Sequence, residues 1–257
     1  MSLITITPIA SILIALIALF RPEIWRLLRR WQNRIDFFPQ RKIEIGFSSW
    51  GPTIGLVGSI RGFPNDQYVK SISIRLVRER DQLSHIFDWA VFRSIALFGD
   101  AKDLQIASGF TLRSNDARTL NIQFWDNDTR QEVEASLERL RQSLFDFAKK
   151  SNLTIAAKTQ LEAQALFQGD FQKAEPNLQG AIWSEIDRKF YWVPGAYRVS
   201  LIIETWDPQK TFEQSFRFEL TAEEAETIRI NIVAAMLGTS GANVHYNFVN
   251  PVLNSAS

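Results

Sequence analysis

The run Leu3–Phe20 holds no charged residue in eighteen positions. A helix of that length rises about 27 Å, close to the ~30 Å hydrocarbon core of a bilayer. No Lys or Arg precedes the run, whereas Arg21, Arg26, Arg29, Arg30, Arg34, Arg41 and Lys42 follow it, against only Glu23 and Asp36. Basic residues stay on the cytoplasmic side of a membrane. The pattern therefore predicts a single-span anchor over residues 1–21, with the N-terminus outside and the rest of the chain in the cytoplasm. A cleaved signal peptide would want a positive n-region and small residues at its end, and Ala15–Phe20 lacks that pattern. A buried or in-plane apolar helix is the remaining alternative.

Residues 22–40 read as a basic amphipathic juxtamembrane helix. Trp25, Leu28, Trp31 and Ile35 fall on one face, with arginines opposite. Arg21, Arg26, Arg29, Arg30 and Arg34, with Trp25 and Trp31, make the expected membrane-interface set: guanidinium groups toward anionic headgroups, indoles at the headgroup level.

From residue 41 the hydrophobic period changes to two. Ile43, Ile45 and Phe47 alternate with polar residues, as do Ile72, Ile74 and Leu76, and then Phe87, Trp89 and Val91. With Thr53–Ile60, Ile95–Phe98, Leu104–Leu112 and Thr119–Trp125 they give about seven antiparallel strands separated by Gly, Asp and Asn turns. After Trp125 the period becomes 3.6. Val133, Leu137, Leu140, Leu144 and Phe147 form one stripe, and Thr129 with Glu132 suggests a capping box. A helix over Ile155–Gln168 follows, then short strands at Leu178–Trp183 and Arg188–Trp192, and longer ones at Tyr197–Thr205 and Phe212–Leu220. Thr221 and Glu224 cap a last helix, Ala222–Leu237.

The expected fold class is α+β, mainly antiparallel and sandwich-like, with two or three packed helices behind one transmembrane helix. The β-rich part spans 41–238, either as one domain or as modules 41–150 and 151–238. Two modules are suggested by the likeness of Leu120–Asp126 to Leu201–Asp207. Residues 239–257 look like a flexible tail in which Val244, Tyr246, Phe248 and Val249 are the residues able to dock.

Composition removes several kinds of chemistry. With no cysteine there are no disulfides, thiolate nucleophiles or Cys-based metal sites. A net charge of +1 gives no basic field of the kind nucleic acid requires. Eight Trp and 19 Phe supply a core without staples.

Three sets of residues carry the candidate chemistry. Asp126 and Asp128, at the end of a strand, could hold a divalent metal, or could simply favour the start of the next helix. Phe124-Trp125-Asp126-Asn127-Asp128 resembles the strand-to-loop signature of calcium-dependent lipid-binding C2 domains, and Asp126-Asn127-Asp128 resembles the D-x-D metal motif of glycosyltransferases. A capped helix follows where the C2 family continues with loop and strand, and no βαβ unit precedes the acids. His85, close to Asp88, has no nucleophile placed beside it by sequence. Tyr191, Trp192 and Tyr197, around the turn Pro194-Gly195, form an aromatic cluster that reads either as a partner-binding surface or as an edge of the core. Pro194-Gly195-Ala196-Tyr197 leading into an alternating strand is also similar to immunoglobulin-like sandwich domains, which bears on fold alone.

The expectation is a membrane-anchored interaction or scaffold protein, bound to lipid through its N-terminal helix and to a protein partner through its body, with no cofactor. The alternatives are a metal-dependent membrane-surface enzyme or C2-like lipid binder using Asp126 and Asp128, and an accessory subunit of a membrane complex.

Overall fold

The computed structural model describes residues 32–93, 104–152, 158–206 and 209–255. Strand β1, Arg34–Ser48, turns back into β2, Gly51–Phe63. The helix expected over residues 22–40 thus gives way to strand by Arg34. Ile35 and Phe37 face the same interior as Ile43, Ile45 and Phe47. Between Pro39 and Ile43 the register with β2 shifts, β1 advancing four residues while β2 advances two. An even insertion preserves the inward parity on both sides of the bulge.

β3 (Gln67–Arg78) and β4 (Ser84–Arg93) pair only over Ser73–Val77 and Ser84–Asp88. Where they diverge, β5 (Leu104–Ile106) pairs with β4 and β6 (Phe110–Leu112) pairs with β3. β7 (Ala117–Trp125) lies between β2 and β4, and β8 (Gly195–Thr205) joins β3 to β9 (Lys210–Leu220). Strands of both halves therefore share one sheet, and no boundary near residue 150 divides it.

The C-terminal segment closes this sheet. β10, Phe248–Val249, pairs with Ile45 and Gly46. The Leu253 amide then donates to the Arg41 carbonyl at 2.8 Å, and β11, Asn254–Ser255, pairs with Phe216 and Arg217 of β9. The strand order is β10-β1-β2-β7-β4-β3-β8-β9-β11, so one continuous stretch of chain is bonded to β1 and then to β9. The tail expected to be loose is the last stave of a rolled sheet. The β-rich body expected from the alternation is present, and opposite walls of this roll play the part of a sandwich's layers. An immunoglobulin-like arrangement would need two separate sheets, whereas the hydrogen-bonded path here is continuous. Inward residues from every long strand, among them Phe47, Leu56, Ile74, Phe87, Phe124, Leu201 and Phe218, fill the interior.

The helices gather at one end, where β1, β3, β7 and β9 finish and β2, β4 and β8 begin. α1 (Asn127–Lys150) leaves β7 and buries Val133, Leu137, Leu140 and Leu144 as the period predicts. α2 (Gln160–Gln168), capped by Thr159 and Glu162, and the short α3 (Asp170–Ala174) lead to α4, Leu178–Asp187. This helix replaces the expected strand at Leu178–Trp183. Leu178, Ile182 and Ile186 recur at helical spacing, and a short apolar run does not reveal its period by itself. The strand expected at Arg188–Trp192 is irregular chain instead.

α5 (Ala222–Arg229) has the expected Thr221–Glu224 box, and α6 (Asn231–Gly238) follows it directly. The expected single helix divides at Ile230, beside the buried Asn231. The Asn231 side chain donates to the carbonyls of Phe47 and Asn247, at 2.9 and 2.7 Å, and accepts from the Asn247 amide at 2.8 Å. A fully bonded buried amide fixes the helix to β1 and to the tail at once.

Candidate functional site

Asp126 is the N-cap of α1. One carboxylate oxygen accepts from the Thr129 amide at 3.1 Å, and the other accepts from the Thr129 hydroxyl at 2.8 Å and lies 3.0 Å from His85 Nδ1. Thr129 is thus the residue that is capped, not the cap expected from Thr129–Glu132. Burial pushes the Asp126 carboxyl up, but the bonds from His85 and Thr129 together outweigh it and hold the group below the usual carboxylate range. A carboxylate only accepts, so His85 donates through Nδ1; its Nε2 is buried without a protein partner. The His85 ring stacks on Tyr191 at 3.8 Å. Burial, then the charge of Asp126, pushes the Tyr191 hydroxyl well above its ordinary value.

This constellation clamps β4, α1 and the chain before β8 together. Asp128 is exposed on the first turn of α1, where its charge suits the helix dipole. The Asp126 oxygens are engaged by protein donors, and among the described residues no group of three or more His, Cys, Asp or Glu could hold a metal ion. Of the two readings of Asp126 and Asp128, metal pair and helix start, the described geometry uses both acids at the start of α1.

Tyr191, Trp192 and Tyr197 do not form a surface. They are 7, 0 and 0 % exposed. The Trp192 indole crosses the helix-capped end of the roll and donates to the Gly46 carbonyl at 2.9 Å. The Tyr197 hydroxyl accepts from the Val193 amide at 2.9 Å and donates to the Val193 carbonyl at 2.7 Å. The core-edge reading of this cluster is the one the fold uses.

The exposed aromatic site is elsewhere. Trp50, at the β1–β2 turn, packs 4.5 Å from Trp125 at the end of β7. Tyr246 and Phe248 of the C-terminal segment face them across a cleft of about 270 Å³, lined also by Ser48, Thr53, Arg93 and Gln123. A second cavity of about 500 Å³, bounded by α1 and α6, adjoins it and shares Ser49, Trp50 and Tyr246. Arg130 lies over the Trp125 ring at 4.9 Å and pairs with Glu134 at 2.8 Å. Glu44 accepts from Arg93 and from Gln123, each at 2.8 Å. Gln123 is only 4 % exposed, so the apolar walls enclose a desolvated amide. Gly46 makes the cleft possible, because a Cβ there would meet the Phe248 ring.

The sequence identified each component without the ensemble. Trp50 fell between two expected strands, Trp125 ended another, and Tyr246 and Phe248 were part of the expected tail. The usable signal was the concentration of aromatics in an otherwise small, polar terminus.

Arg21, Trp25, Arg26, Arg29, Arg30 and Trp31 lie outside the described residues. Arg34 opens β1, paired with Asp36 at 2.7 Å and 5.9 Å from the Phe63 ring. Among the described residues no helix is long and apolar enough to cross a membrane; the expected span Leu3–Phe20 is outside them. No protein-family model, curated protein or solved structure matches the chain, and the functional reading rests on these residues alone.

Proposed function

We propose that the protein is a single-span, membrane-anchored binding module whose cytoplasmic body holds a protein partner in the cleft between Trp50, Trp125, Tyr246 and Phe248. The cleft carries this reading. Aromatic rings around a small cavity with a few buried polar groups are what binding hot spots are made of. Its size suits one or two apolar side chains of an extended peptide. The membrane part of the reading rests on Leu3–Phe20 and the arginines after it. The His85–Asp126 pair offers an enzyme little, because its remaining ring nitrogen is sealed from solvent.

The test is site-specific photo-crosslinking with the full chain in its own membranes. A crosslinker at Tyr246 gives a discrete adduct, one at exposed Phe145 of α1 does not, and Trp50→Ala suppresses the Tyr246 adduct at least several-fold. Equal adducts at both positions, or an adduct indifferent to Trp50→Ala, contradict the reading. An adduct recovered in fixed stoichiometry with other membrane proteins makes the chain an accessory subunit. Thermal stabilisation by calcium, magnesium or manganese that Asp126→Asn abolishes would replace the reading with the metal-dependent one.

A further inference from the structure

The end of the roll opposite the helices is where the chain enters, at Gln32–Arg34. Register places the matching ends of the other strands there: Arg34 opposite Phe63, Arg61 opposite Ala117, Gln67 opposite Leu112, and Thr205 opposite Lys210. Residues 21–31, between the apolar run and this end, span at most about 40 Å even when fully extended. A body tethered at Leu3–Phe20 is therefore attached through this end and can bring it against the bilayer.

The chemistry of that end is distinctive. Lys70 lies 5.8 Å from the Trp206 ring, Arg118 lies 4.5 Å from Phe110, and Lys210 lies 4.9 Å from Phe212. Arg34 and Arg61 flank Phe63 at 5.9 and 6.0 Å. Trp206 is 66 % exposed and Tyr68 is 44 % exposed. Five cations, Arg34, Arg61, Lys70, Arg118 and Lys210, face four carboxylates: Asp36 is paired with Arg34, Asp66 accepts from the Ser114 amide, Glu204 accepts from the Ser71 hydroxyl, and Asp116 is exposed, while the Lys210 ammonium donates to the Asn33 carbonyl at 2.6 Å. An indole or phenol beside a cation suits the headgroup layer, where the ring enters the apolar zone and the charge meets phosphate.

We infer that this rim is a second membrane contact, a docking surface for anionic lipid that holds the body against the inner leaflet. The inference rests on the proposed tether. Its occupant is a lipid surface because the tether brings this end to lipid and because two exposed aromatics, Trp206 and Tyr68, stand there among exposed cations. The two contacts act together: an anchor supplies proximity, and a weak electrostatic surface then fixes orientation.

A single introduced cysteine is the only thiol in this chain. The experiment places a nitroxide at Gln209→Cys, beside Trp206, in the full chain reconstituted into nanodiscs, with Gly180→Cys on α4 as the distal control. Collision with a water-soluble nickel complex is read in phosphatidylcholine alone and with one third phosphatidylserine. The inference expects nickel access at 209 to fall several-fold when phosphatidylserine is present, access at 180 to stay unchanged, and the double variant R61E/K70E to restore access at 209. Equal nickel access at 209 in both lipids, or protection that R61E/K70E leaves intact, overturns the docking surface. Release of the chain from vesicles by an alkaline carbonate wash overturns the tether as well, so the two failures are told apart.

Discussion

Asp126 shows how one side chain can mimic a catalytic or metal-binding residue while performing a structural task. It caps α1, and it accepts the only side-chain hydrogen bond His85 makes among the described residues. Asp126→Ala removes the cap and leaves a buried imidazole N–H unpaired, a combined cost of about 2–5 kcal/mol. Urea unfolding at pH 7 measures it, and Asp126→Asn, which keeps an acceptor, should lose less. The pH dependence has a definite sign. The folded carboxyl sits below its unfolded value of about 4. Its contribution is therefore fully present above pH ~4 and is lost as pH falls through the folded value. Asp126→Asn should lack that share of the acid-induced loss. The acids at 126 and 128 were legible as a helix start, but the box was placed three residues late. Asp126 and Thr129 form one cap pattern and Thr129 and Glu132 another, and here Glu132 is drawn away to pair with Lys189. Tyr191, Trp192 and Tyr197 were legible as a cluster, with the core edge as one of its two readings. Beside a Pro-Gly turn no alternation shows which way a ring points.

Among the elements, the C-terminal segment has consequences out of proportion to its length. It supplies the stave between β1 and β9, two walls of the cleft, and the backbone that Asn231 binds. Upstream of the β1 bulge the seam is held by a side chain instead, Gln214 accepting from the Phe37 amide at 3.1 Å. Truncation after Tyr246 should expose the edges of β1 and β9 and leave Asn231 with its bond to the Phe47 carbonyl alone. The expected result is faster hydrogen exchange at Ile43, whose amide donates to the Pro251 carbonyl, together with a lower and broader thermal transition. Unchanged protection at Ile43 would show that the roll is closed without the tail. The long strands were legible because one buried face gives a strict alternation, as in Ile72, Ile74 and Leu76. The tail was not, because its paired stretches are two residues each and carry no period.

At the scale of the molecule the two ends differ in chemistry. Helices and the aromatic cleft lie at one end, and the chain entry with its cations beside aromatic rings lies at the other. The fold class was readable from periodicity, whereas strand order and closure depend on contacts between residues far apart in sequence, such as Gly46 with Phe248. The proposed tether rests on the charge asymmetry around Leu3–Phe20, and in that proposal it sets the side of the membrane on which the body operates. One labelling measurement addresses it directly. Gly180→Cys places the chain's only thiol on α4 at a point where a Cβ meets nothing within 4 Å. With the full chain in intact cells, a membrane-impermeant maleimide should leave this cysteine unlabelled until the membrane is permeabilised, and then label it fully; complete labelling in unbroken cells would contradict the account.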